Sequence, residues 1–232
     1  MTIVLVHGAF TDGSCWAKVI PLLQKMGHTA VAVQNPLLSL AQEVESVKRT
    51  VALQDEPVLL VGHSWGGAVI TEAGNDPKVA GLLYITAYAP EEGESANDAS
   101  SPFGWTAGQK QIQVAEDGFA TLTKAGMFED VANGLSESDQ RLCFAVQGQS
   151  YGPMFSEKLT KAAWKQKPTW ALISDQDRML PPAMEKMMAQ RMGAETLLLS
   201  ASHMVILELP EKVAGFINQA ANKLKGDAKV VG

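Results

Sequence analysis

Little in this sequence suits a disulfide framework, a metal cage or a membrane. Only two cysteines, Cys15 and Cys143, occur among 232 residues. That is too few for a disulfide scaffold, and a reducing, cytoplasmic setting is expected. No Cys/His cluster has metal-ligand spacing, so neither a metal nor any other cofactor is implied. No apolar run approaches the roughly 20 residues that span a bilayer. The first residues pass straight into an apolar stretch, without the charged start and cleavage site of a secretory leader. Excess positive charge is missing too. A net charge of -6 and a pI near 5.3 argue against nucleic acid or an anionic membrane as partner. The balance of 46% hydrophobic and 19% charged residues is that of a globular chain with one sizeable core.

What is present centres on Val58-Leu59-Leu60-Val61-Gly62-His63-Ser64-Trp65-Gly66-Gly67. Four apolar residues mark a strand buried on both faces. The chain then turns through Gly62, Ser64 and Gly66 into a helical run, Ala68 to Asn75. This is the G-x-S-x-G nucleophile elbow, a sharp strand-to-helix turn that exposes a serine hydroxyl. A serine held in a strained backbone leaves hardly any room for a Cβ two residues to either side. The helix start after Ser64 also offers free backbone N–H groups where negative charge would develop.

Elsewhere strands and helices alternate. Thr2–Val6 reads as a buried strand ending in His7-Gly8-Ala9-Phe10, where an amide of Ala9 or Phe10 could face a developing oxyanion. A helix follows over Cys15–Met26, then a strand over His28–Val33, an amphipathic helix over Leu40–Gln54 and a strand over Val79–Ala87. The alternation breaks between Tyr88 and Lys167. There, Ser136 and Asp139 have capping-box spacing for a helix reaching Gln147, and another helix is expected over Pro153–Trp164. Gly118–Thr123 and Met127–Val131 could form a small hairpin. The pattern resumes with a strand over Pro168–Ser174, a helix over Pro182–Met192, a strand over Glu195–Ser200 and a helix over Pro210–Lys225. From Gly226 a frayed tail is expected. The reading is an α/β core of residues 1–87 and 168–232 with a cap inserted at 88–167.

A serine nucleophile needs a base within hydrogen-bond reach and a carboxylate to orient that base. Only four histidines are available. His7 belongs to the oxyanion loop, His28 opens a strand beyond the Gly27 stop, and His63 adjoins Ser64 and should point away from it. His203 alone follows the carboxyl end of a late strand, in the chain order serine, acid, histidine. The acid belongs to the loop after the preceding strand, where both Asp175 and Asp177 qualify. Asp177, deeper in the loop, is preferred, and Asp175 is read as organising the turn.

With these motifs together, the chain resembles the α/β-hydrolase superfamily over nearly its whole length. The resemblance rests on Val4-Leu5-Val6-His7-Gly8-Ala9, the Gly62–Gly67 elbow, Asp177-Arg178-Met179-Leu180-Pro181 and Ser202-His203-Met204. Within it the chain is most similar to plant methyl-ester esterases and hydroxynitrile lyases and their small bacterial esterase relatives. That implies an α/β-hydrolase fold with a mostly parallel sheet of about six strands, since the superfamily's leading hairpin has no counterpart here. It also implies a Ser64–His203–Asp177 triad, an oxyanion hole of the Ala9 and Trp65 amides, and a cofactor-free carboxylesterase. Phe10 and Met204 are expected in the substrate pocket, and the partner is a small-molecule ester. A cyanohydrin lyase of the group would carry lysine where Met204 stands and threonine where Gly8 stands. Both positions favour the esterase. A hydrolase-like binding protein is the alternative from another class.

Overall fold

The computed structural model describes residues 1–230. In chain order its main elements are β1 (Thr2–Val6), α1 (Ile20–Lys25), β2 (Thr29–Ala32), α2 (Leu40–Ala52), β3 (Val58–His63), α3 (Gly66–Ala73), β4 (Val79–Ile85) and α4 (Ala96–Ser100). They continue with β5 (Ile112–Val114), β6 (Phe119–Leu122), α5 (Glu137–Ala145), β7 (Ser150–Tyr151), β8 (Thr169–Ser174), α6 (Pro182–Met192), β9 (Glu195–Leu199), α7 (Val205–Glu208) and α8 (Pro210–Val230). Six strands pair in parallel in the order β2-β1-β3-β4-β8-β9. The six-stranded parallel sheet flanked by helices is thus as expected from the sequence.

The central strands β1, β3 and β8 are buried at every position because both faces are covered. Val4, Val6, Leu60, Leu82 and Tyr84 face a core completed by α2, α3 and α6. Ile3, Leu5, Leu59, Val61, Leu83 and Ile85 face another, completed by α1 and α8. Alternate side chains of one strand therefore enter different cores. The chain order reverses between β1 and β3, and loops from the carboxyl ends of both meet there, the usual ligand crevice of such a sheet.

Several local expectations need correction. The helix over Cys15–Met26 is divided into a 3₁₀ turn, Gly13–Trp16, and α1. Pro21 sits in the first turn of α1, where its missing N–H costs nothing, and it could not continue a helix arriving from Cys15. Met127–Val131 is not the partner of Phe119–Leu122, because it forms a π-helical turn, Gly126–Val131. β6 pairs instead with β5 and β7 in an antiparallel sheet. The β5–β6 turn closes at Gly118, whose φ of +86° a side chain would resist. No long helix forms over Pro153–Trp164, where the structure has short 3₁₀ turns at Gly152–Ser156 and Ala163–Lys165. Between them the backbone bonds elsewhere: Leu159 N–H donates to Glu94 O and Gly93 N–H to Leu159 O. α5 has Ser136 as its N-cap, accepting from Asp139 N–H at 3.3 Å, but ends at Ala145 rather than Gln147. α8 runs to Val230 where a tail was expected from Gly226, and residues 231–232 lie outside the described residues. Among the described residues no helix is long and apolar enough to cross a membrane.

Candidate active site

Ser64 follows the last residue of β3 and holds φ at 54°, a left-handed conformation that a non-glycine residue adopts only under constraint. The constraint is visible. Ser64 N–H donates to Ile85 O at 3.2 Å, and Ser64 O accepts from Gly67 N–H at 3.0 Å and Tyr88 N–H at 3.1 Å. A Cβ on Gly62 would lie 2.6 Å from Gly66 O, and one on Gly66 would lie 2.5 Å from Val6 O. The elbow closes only because neither residue has a side chain.

The β1 loop packs directly on this turn, for a Cβ on Gly8 would come within 2.7 Å of Ser64 Cβ. His7 fixes the loop. Asn35 N–H donates to its Nε2 at 3.0 Å, so its Nδ1 carries the proton and donates to Gly8 O at 2.8 Å. Burial holds the His7 pKa below its usual value and keeps it in this neutral form. Phe10 N–H already donates to Ser150 Oγ at 3.1 Å. Of the two loop amides considered, that of Phe10 is therefore already engaged. Phe10 also carries a positive φ of 59° and packs its ring against Phe155 at 6.3 Å.

Asp177 and His203 come together from the loops after β8 and β9. Asp177 Oδ2 accepts from His203 Nδ1 at 2.6 Å, while Oδ1 accepts from the N–H groups of Met179 at 2.7 Å and Leu180 at 2.8 Å. Three N–H donors thus hold this buried carboxylate in place. With its proton on Nδ1, the His203 ring has its Nε2 lone pair free. Asp175 is exposed and accepts from Gln176 Nε2 at 2.9 Å. His203 O accepts from His63 Nε2–H at 2.9 Å and Thr86 Oγ1–H at 3.3 Å. Ser202 N–H and Oγ–H both donate to Glu208 Oε2, at 2.7 and 2.6 Å, tying the loop to α7. His28 lies elsewhere, bonded to Asn218 Oδ1 at 2.8 Å.

Ser64, Trp65, Ala9, Phe10, His203 and Met204 line one cavity of about 510 Å³, with no Asp, Glu, Lys or Arg in its wall. Opposite them the segment between β4 and β8 supplies Trp105, Ile112, Leu122, Met127, Val131 and Phe155. Sequence reasoning named none of these as lining. Their apolar character was readable, but their direction depends on how that segment folds back. Thr106 Oγ1–H donates to Met179 O at 3.0 Å and Gly108 N–H to Arg178 O at 2.9 Å, so the segment is fastened to the acid loop. Glu43 was missed as well. Its Oε2 accepts from Trp65 Nε1–H at 2.8 Å and Asn35 Nδ2–H at 3.1 Å beneath the elbow. Burial raises its pKa to about 8.

Residues 3–216 match the family model described as the alpha/beta hydrolase family. The chain belongs to that family. It is 27% identical over 95% of its length to the alpha/beta hydrolase nvfD of Aspergillus novofumigatus, covering 96% of that protein. It is 32% identical to methylesterase 1 of Arabidopsis thaliana over 44% of each chain. Among solved structures it resembles polyneuridine aldehyde esterase with a TM-score of 0.84 at 19% identity, over 95% of this chain and 98% of that one. The chain is thus an alpha/beta hydrolase related to the plant methylesterases, and its similarity to proteins named as hydrolases and esterases supports hydrolase activity.

Proposed function

We propose that this protein is a carboxylic ester hydrolase that works through an acyl-enzyme on Ser64. The observation that carries the reading is the 2.6 Å bond from Asp177 to His203, which lines the same cavity as Ser64 on its strained elbow. Ser64 Oγ attacks the ester carbonyl while His203 Nε2 takes its proton and passes it to the leaving alcohol. Asp177 holds the imidazole in the required tautomer and offsets the charge it gains. The amides of Ala9 and Trp65 stabilise the oxyanion; together such donors typically lower the barrier by several kcal/mol. Water activated by His203 then releases the acid.

The uncharged, largely apolar wall supports a neutral ester of small or medium size as substrate, since nothing there would pair with a substrate carboxylate or ammonium. Met204 and Phe10 supply apolar surface beside the reacting carbon, and the segment of residues 88–167 acts as the cap over it.

A fluorophosphonate probe tests the assignment. Intact mass should rise by one adduct on Ser64, Ser64→Ala should abolish it, and chromogenic aryl esters should be turned over. Labelling that persists in Ser64→Ala, or no turnover across a panel of aryl and methyl esters, would overturn the proposal.

A further inference from the structure

Beside Asp177 stands a second carboxyl group that the proposed mechanism does not use. Glu185 projects from α6 and is only 3% exposed. Both of its carboxyl oxygens are out of contact with water and accept no hydrogen bond among the described residues. A buried carboxylate in that condition would be very costly. Its neighbour Asp177 is the reverse case, with three N–H donors on its two oxygens. The two side chains lie within hydrogen-bonding reach of each other. Two touching carboxyl groups in a dry site cannot both be ionised, so they share one proton. Asp177 has three N–H donors at 2.6–2.8 Å to stabilise a charge, and Glu185 has only the partial opposing effect of the Ser174 backbone, which leaves the proton on Glu185.

We infer that Glu185 is a neutral carboxylic acid whose O–H donates to the Asp177 carboxylate, making it a positioning residue one bond removed from the proposed triad acid. The catalytic consequence rests on the esterase reading above, whereas the protonation rests on burial and contact alone. Every charged or titratable neighbour is consistent with it. Burial first, and then the charge of Asp177, raise the Glu185 pKa, and the Ser174 backbone and the exposed Lys186 oppose this only in part. Tyr88, facing the pair from the loop after β4, is held neutral by burial, its pKa raised to about 12. The cation that acts on Glu185 is Lys186, which is exposed.

The bond has a direction of effect. A donor on Asp177 withdraws negative charge from the carboxylate and so tempers its pull on the His203 N–H. It also fixes the plane of the carboxylate, and with it the angle of the imidazole. Removing the donor without removing a charge should make His203 easier to protonate and less well aimed.

Glu185→Gln keeps a donor, and Glu185→Met has similar volume and none. Three measurements on the intact protein apply. The infrared difference spectrum of wild type minus Glu185→Gln at neutral pH should contain the C=O stretch of a protonated carboxylic acid. The low-field proton resonance of His203 Nδ1–H should titrate at the wild-type midpoint in Glu185→Gln and at a higher pH in Glu185→Met. Ester turnover should stay near wild type in Glu185→Gln and fall about 10-fold in Glu185→Met, mainly in kcat. Loss of ionised-carboxylate bands instead, with the His203 midpoint falling in both variants because a negative charge has gone, would overturn the inference. So would a midpoint unmoved in Glu185→Met. Spectra as expected in a protein that hydrolyses no ester would sink the esterase reading and leave the Glu185–Asp177 bond standing.

Discussion

His63 donates its Nε2–H to the carbonyl oxygen of His203 at 2.9 Å, so the residue before the proposed nucleophile braces the residue proposed as its base. The rings lie 4.8 Å apart between centroids, and His63 also meets Trp16 edge-on at 6.4 Å. Burial, then the neighbouring His203, push the His63 pKa down to about 3. It is therefore neutral wherever the protein is folded and assayed, as the donor role requires.

His63→Ala should leave the buried His203 carbonyl with only the longer Thr86 bond. Unmet buried polar groups cost about 1–3 kcal/mol. Thermal stability should fall accordingly, and kcat should fall on the order of 10-fold through the displaced imidazole. Parallel measurement of melting temperature and ester turnover checks this; an unchanged kcat would show that the bond does not set the position of His203.

Asp177→Asn should cost on the order of 10⁴ in kcat, because an amide cannot fix the same tautomer or offset the imidazolium. Asp175→Asn, at an exposed position, should change little. Comparable losses in both variants would refute the separation of roles.

Glu43 gives a stability signature that can be derived in sign. Its folded pKa, about 8, stands above the usual 4.5 of an unfolded glutamate. Between those values the unfolded chain releases a proton that the folded protein retains. Stability from this group is therefore fully present at low pH, declines as pH rises through that window, and is level above about 8. Glu43→Gln, which can still accept from Trp65 Nε1–H, should flatten that part of the profile. Denaturant midpoints at intervals from pH 5 to 9 provide the measurement, and the same slope in both proteins would exclude Glu43 as its source.

The choice of esterase over cyanohydrin lyase rests on Met204, which is buried in the cavity wall next to His203. An apolar thioether cannot offset the charge of a departing cyanide as an ammonium would. Mandelonitrile should release no cyanide above the uncatalysed rate while small esters are hydrolysed. Enzyme-dependent cyanide release that disappears in His203→Ala, without ester turnover, would reverse the choice.

The sequence by itself determined the six-stranded core and the candidate nucleophile, because the causes are local. Uninterrupted apolar runs report strands covered on both faces, and the elbow is written in adjacent residues whose missing side chains make room for backbone oxygens that a Cβ would meet at 2.5 and 2.6 Å. His203 was reachable by elimination from chain order, since only four histidines compete. Only the tertiary structure engages the Phe10 amide, which donates to Ser150, 140 residues further along. It alone decided the course of the segment over residues 88–167, whose backbone bonds go to distant partners such as Leu159 to Glu94 rather than into one long helix. And it alone separated Asp177, enclosed by three donors, from exposed Asp175, and brought Glu185 beside it. Local propensity leaves such choices open; burial and long-range hydrogen bonding, which exist only once the chain has closed on itself, make them.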